Sequence, residues 1–145
     1  MKIVLQRVLS ASVSVNAERV AEINGGLLLL CGVGQNDNET TMQPMAEKIA
    51  QMRIFANDSG KFDYSVLDVK GAVLCVPQFT LFADTSKGRR PEFFSAMRPP
   101  EASRLFDLFV AEFQKLGIPT KAGIFGADMQ VELINDGPVT ITLEN

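Results

Sequence analysis

The residues in this chain best placed to do chemistry are Gln78 and Thr80, two positions apart in the run Val73-Leu74-Cys75-Val76-Pro77-Gln78-Phe79-Thr80-Leu81-Phe82-Ala83-Asp84. The apolar part of that run reads as a buried strand, interrupted by Pro77 and then resumed. Proline gives a ladder no N–H, so a strand places it at an edge or a bulge, and a break there can free neighbouring backbone donors for a ligand. Within a strand, Gln78 and Thr80 would face one side and Phe79 the other. Thr80 could act as a nucleophile only beside a base. The chain has no histidine, which removes the commonest general base, the Ser-His and Cys-His pairs and the commonest metal ligand. Two cysteines cannot build a thiolate zinc site. The expectation is a site without metal or cofactor, in which Thr80 forms hydrogen bonds and any catalysis relies on backbone dipoles, positioning and the substrate's own groups. The plainer alternative is a half-exposed strand that turns polar residues to water.

Three other stretches stand out. Asn135-Asp136-Gly137-Pro138-Val139-Thr140 lies between two strand-like runs and reads alone as a turn or an edge strand, with an X–Pro bond expected in trans. Phe125-Gly126-Ala127-Asp128-Met129 is a turn with an apolar rim. Lys87-Gly88-Arg89-Arg90-Pro91 is a compact basic cluster in a chain of net charge −3. Read alone it is a solvated loop, and a phosphate contact is the alternative, to which its closeness to Gln78 and Thr80 adds some weight. The overall charge makes any nucleic-acid contact local.

These stretches need elements to hold them. Residues 2–9 alternate as a strand, and 12–15 with 20–23 form a hairpin about Asn16-Ala17-Glu18-Arg19. Leu27 to Val33, bounded by glycines, is a central strand. Thr40 or Thr41 caps a first helix with Pro44 in its first turn, and Met42, Met45, Ile49 and Met52 form its apolar stripe up to an end near Phe55. Residues 61–70 are loop-rich, and 72–82 are a strand pair or bent strand. A second helix starts at Pro99-Pro100-Glu101, buries Leu105, Phe106, Phe109, Phe113 and Leu116, and stops at Gly117 and Pro119. Three short strands follow, at about 120–125, 129–135 and 139–143. Two helices with many strands and no regular βαβ rhythm indicate α+β with a curved, mostly antiparallel, barrel-like sheet.

The chain is long enough for one core, so residues 1–145 are expected to be a single domain. Hydrophobic residues make up 46% and charged ones 21%, a globular balance without a low-complexity tract. No apolar run reaches bilayer-spanning length, and the start lacks a signal peptide's apolar core. Cys31 and Cys75 sit inside apolar runs as buried reduced thiols, which places the protein in the cytoplasm.

Leu5-Gln6-Arg7-Val8, Pro77-Gln78-Phe79-Thr80-Leu81, and the three stretches at 87–91, 125–129 and 135–140 occur in an order and spacing that resemble the D-aminoacyl-tRNA deacylases, nearly end to end. The resemblance implies a homodimer that proofreads chirality in translation. It implies that Gly137-Pro138 is cis and reaches into the partner subunit's pocket, with its carbonyl oxygens near the substrate's α-carbon. Gln78, Phe79 and Thr80 would form the pocket floor, Phe125 and Met129 would lie near the terminal adenosine, and Arg7 would steady the Gly-Pro loop. It also implies that the RNA 2′-hydroxyl takes part in hydrolysis and that Thr80 is no obligatory nucleophile. Lys87, Arg89 and Arg90 are the expected tRNA contacts. One position departs from the pattern: the family has serine where this chain has Pro77. A proline there resembles a sister group that edits L-alanyl-tRNA, whose motif reads Pro-Gln-Ala-Thr-Leu. Position 79 is phenylalanine, however, and 135–140 follows the D-specific pattern. A nucleic-acid-binding dimer without catalysis is the alternative of a different class.

Overall fold

Strand β1, Lys2–Val15, is the spine of the molecule: both of its edges are paired. A computed structural model describes residues 1–145. The first half of β1 pairs antiparallel with β3, Gly26–Gly32, and the second half with β2, Glu18–Ile23. The two expected N-terminal strands are thus one. The hairpin loop is the tight pair Asn16 and Ala17, both at positive φ, which matches the right-handed twist of the flanking strands. The other edge of β1 carries the long C-terminal strand β8, Gln130–Glu144.

Beyond β3 the sheet turns parallel, through β6, Ala72–Pro77, to β7, Thr120–Ala122. The sheet is therefore mixed and curves until β2 packs against β6 and β7. Each helix connects a parallel pair: α1, Glu39–Ala50, lies between β3 and β6, and α2, Glu101–Lys115, between β6 and β7. The composition of β3 and β6 follows from this. The Leu27, Leu29, Val73 and Cys75 side belongs to the larger core with both helices, while Leu28, Leu74 and Val76 face a smaller core inside the curl. Strands buried on both faces read as unbroken apolar runs.

The helix boundaries differ from the sequence expectation. Asn38, not a threonine, caps α1: its side chain accepts the Thr40 N–H, and Thr41 Oγ1 accepts the Asn38 N–H, which closes a capping box. Pro44 sits exposed in the second turn. The helix stops at Ala50 because the chain then extends into β4, Phe55–Ala56, paired with β5, Phe62–Tyr64, in the region expected to be loop. Helix α2 starts and buries its face as expected, except that Leu116 is half-buried. The peptide bonds Pro99-Pro100 and Gly137-Pro138 are both cis.

Candidate functional site

Strand β6 does not break at Pro77. Pro77 is still in register with Cys31 of β3, and the Gln78 N–H donates to the Cys31 carbonyl at 2.7 Å. On its other edge β6 is at the end of its ladder: β7 ends at Ala122 opposite Cys75, and the last bond runs from the Gly123 N–H to the Cys75 carbonyl at 2.8 Å. The edge of Pro77 that lacks an N–H therefore faces the chain just after β7, where its ring packs close to Gly123: a β-carbon on that glycine would lie 3.5 Å from Pro77 Cδ. That is why a proline is tolerated so near the middle of a sheet. The irregularity starts one residue later, as the 3₁₀ helix Phe79–Phe82. Its N-cap, Gln78, makes no side-chain cap, so the N–H groups of Phe79 and Thr80 have no acceptor within the helix. The donors left over come from this turn and not from the proline.

The 3₁₀ turn also changes where the side chains go. Strand alternation no longer governs Gln78 and Thr80, yet the two still meet, Gln78 Nε2 donating to Thr80 Oγ1. No carboxylate or amine hydrogen-bonds Thr80, so nothing in the chain activates its hydroxyl. Gln78, Phe79 and Pro77 line a cleft of about 290 Å³ whose far wall is Phe125, Gly126, Ala127, Asp128 and Met129. Thr80 is exposed and outside the lining. The Phe125 ring is anchored against Phe106 of α2 at a centroid distance of 6.3 Å. Phe79, 56% exposed, is braced edge-on by Phe93 at 5.0 Å. Asp128 is the one ionisable side chain in the lining, and the sequence reading passed over it because a turn aspartate has an adequate structural reason to exist.

A second irregularity lies on β8. The expected pair of strands there is one strand with a wide bulge: Gln6 pairs with Thr140 and Val8 with Asn135, so residues 136–139 stand opposite Arg7 alone. Arg7 lies on the inward-facing side of β1 and is buried. Its Nε donates to the Asp136 carbonyl at 3.0 Å and forms an ion pair with the Asp136 carboxylate at the same distance, and Nη1 donates to the Ile54 carbonyl. The guanidinium lies 5.8 Å from the Phe55 ring centre and 5.6 Å from that of Phe62, contacts that favour a cation over these faces. Gly137 has φ +129°, and a β-carbon on it would lie 2.9 Å from Val139 Cγ2 and 3.2 Å from Arg7 Nη2. Only glycine fits this place without strain. Gly137 and Pro138 are exposed and do not line the cleft of their own chain. Two strands, β1 and β3, separate β8 from β6, so three strand spacings put the halves roughly 14 Å apart along the sheet.

Lys87, Arg89 and Arg90 project from a loop that starts just after the 3₁₀ helix. Asp84 and Glu92 pin its base by exchanging backbone hydrogen bonds of 2.8 and 2.9 Å. Ser86, through its hydroxyl first and its backbone N–H second, holds the Asp84 carboxyl below its ordinary range. All three cations are exposed, and none forms an ion pair. Cys31 and Cys75 are free and buried, and burial pushes the Cys31 thiol up. No helix is long and apolar enough to cross a membrane.

The fold, two helices on a nearly closed mixed sheet, is also that of a solved structure of a probable eukaryotic D-amino acid tRNA deacylase, with a TM-score of 0.84, 15% identity, and coverage of 98% of this chain and 97% of that one. The chain belongs to the D-Tyr-tRNA(Tyr) deacylase family, whose model matches residues 4–144. It is 53% identical over 145 residues to the D-aminoacyl-tRNA deacylase of Chloroflexus aurantiacus (strain ATCC 29364 / DSM 637 / Y-400-fl), covering 100% of this chain and 91% of that relative. It is also similar to the solved structure of a c-Myc DNA unwinding element binding protein, with a TM-score of 0.93, 41% identity, and coverage of 100% and 99%.

Proposed function

We propose that the protein is a cytoplasmic D-aminoacyl-tRNA deacylase, a hydrolase of the ester between a D-amino acid and the 3′ end of tRNA. The observation that carries this reading is a cleft bounded by an uncapped 3₁₀ turn and free of any activated nucleophile, in a chain that matches the deacylase family along its length. The chemistry is modest. Water adds to the ester carbonyl, the carbon–oxygen bond to the ribose breaks, and a free D-amino acid and a free tRNA hydroxyl leave. The N–H groups of Phe79 and Thr80 stabilise the oxyanion, and one such donor is typically worth roughly 3–4 kcal/mol. The ribose 2′-hydroxyl beside the ester assists as the substrate's own group, and Thr80 holds Gln78 in place.

Chirality is judged by rejection. The carbonyl oxygens of Gly137 and Pro138, lent by the partner of a homodimer, crowd one face of the substrate's α-carbon, where hydrogen fits and an L side chain does not. Support for the second subunit is geometric: the Gly137-Pro138 bulge is exposed, gripped from behind by Arg7, and too far along the sheet to serve its own cleft. Phe125 and Met129 flank the terminal adenosine, and Lys87, Arg89 and Arg90 hold tRNA phosphates. Pro77 stands where the family pattern has serine, and its ring adds apolar surface to the cleft wall.

The test is one assay of tRNA charged with D-Tyr, Gly and L-Ala. Rejection by crowding expects D-Tyr and Gly to be released, since glycine has hydrogen on both faces, and L-Ala to survive. Release of L-Ala with survival of D-Tyr would assign the chain to the L-alanyl editors. The name of the 41% identical structure, a DNA element binding protein, favours a second reading as a nucleic-acid-binding dimer. A net charge of −3 and a single basic loop argue against tight duplex binding. DNA binding at physiological salt without any deacylation would establish that alternative.

A further inference from the structure

Next to the cleft lies a second concavity, an open apolar shelf of about 440 Å³ formed by Phe93, Phe94, Met97 and Arg98, which shares Phe79 and Phe125 with the cleft. We propose that this shelf takes the nucleobase that precedes the terminal adenosine of the substrate RNA. The proposal rests on the deacylase reading and extends it by one nucleotide. Phe94 is 70% exposed, more than any other large apolar side chain of the molecule. It is the second residue after Glu92, where the backbone pair with Asp84 closes the basic loop. The same corner therefore presents bare aromatic faces and four cations without acidic partners: Lys87, Arg89, Arg90 and Arg98. Aromatic platforms beside unpaired cations are how proteins hold single-stranded nucleic acid: the rings stack bases and the cations meet the backbone.

Continuity decides the register of the strand. An adenosine esterified in the cleft must send its 5′ neighbour out over a rim, and the Phe79–Phe125 side is the rim where the cleft opens onto further apolar surface. The edge-on Phe79–Phe93 contact keeps that dividing wall upright. A base laid over Phe94 then places its phosphate towards Arg98 and the basic loop.

Two minimal esters test this, D-tyrosyl adenosine and D-tyrosyl cytidylyl-(3′→5′)-adenosine. Stacking of one base on an aromatic ring predicts that kcat/KM for the dinucleotide ester exceeds that for the adenosine ester by about tenfold. Phe94→Ala should bring the ratio close to one without slowing the adenosine ester, and Phe94→Tyr should preserve it. A dinucleotide ester with an abasic first position should gain little with either protein. An unchanged ratio in Phe94→Ala would overturn the proposal. So would equal damage to both esters, which would give the shelf to the terminal nucleoside, or a change in sedimentation, which would make it a subunit contact. If the wild-type protein hydrolyses neither ester, the deacylase reading fails separately. The shelf is then tested by fluorescence anisotropy with the unacylated trinucleotide CCA, which should bind at least about fivefold more weakly to Phe94→Ala; equal binding overturns the proposal there too.

Discussion

Strands β6 and β8 both lose their regular course, and the two places differ in what holds them. At the end of β6 the chain outruns β7, keeps one last bond to β3 through Gln78, and curls into a turn with an uncapped start. That region offers donors and is braced mainly by aromatic contacts. On β8 the pairing resumes on both sides of residues 136–139, and a buried arginine grips the bulge. That region offers acceptors and is braced by charge. An ester under hydrolysis needs donors at its carbonyl oxygen, and a stereochemical gauge needs something rigid that does not react. The chain builds each feature once and keeps them apart on its own sheet.

If the two regions are complementary halves, damage to the β8 half must abolish activity while the cleft stays intact. Gly137→Ala forces a side chain into a positive-φ position and against Val139 and Arg7. Since an ångström of misplacement near the chemistry costs on the order of 100-fold, kcat/KM on D-Tyr-tRNA should fall by about that much, with the circular dichroism spectrum unchanged. A variant that keeps its rate would detach the bulge from catalysis. Arg7→Ala should cost both activity and stability. The Asp136 and Ile54 carbonyls lose their donor, and an unpaired buried acceptor typically costs about 1–3 kcal/mol. Denaturant titration should therefore show a loss of about 2–4 kcal/mol.

The donor half should respond more gently. Replacing Arg89 and Arg90 together with alanine should weaken tRNA binding and reduce the slope of log affinity against log salt by about 1.4 to 1.8, the value for two phosphate contacts. An unaltered slope would return that loop to plain solvation. Thr80→Ala removes only the partner of Gln78, so activity should drop by less than about tenfold, the order of one neutral hydrogen bond. Complete inactivation with the fold retained would make Thr80 the nucleophile. Smallest of all, the raised Cys31 thiol should not react with a thiol reagent in the native protein at neutral pH, because the thiolate is the reactive form.

The fold was legible where burial is one-sided or complete. The stripes of α1 and α2 and the doubly buried runs of β3 and β6 followed from residue type alone. What the sequence hid depends on neighbours far along the chain. Nothing in Val73 to Asp84 says that β7 stops at Ala122, so the turn after Gln78 looked like a consequence of Pro77. Nothing in residues 129–143 says that Arg7 will claim the bulge, so one bulged strand looked like two. The end of α1 was misread for the same reason, as the Ile54 carbonyl is fixed by a residue 47 positions earlier. The components of the site were recognisable as segments that resemble a family. The turn that leaves Thr80 outside the cleft lining was not.

The double pairing of β1 makes its numbering unforgiving. A residue inserted between Val4 and Arg7 would rotate the guanidinium outward, since strand side chains alternate with period two. It would also take Arg7 out of register with Leu27, while Ile3 keeps its place opposite Cys31. One indel there should disable the bulge on β8 without touching it, so length variation among functional relatives should fall outside this segment.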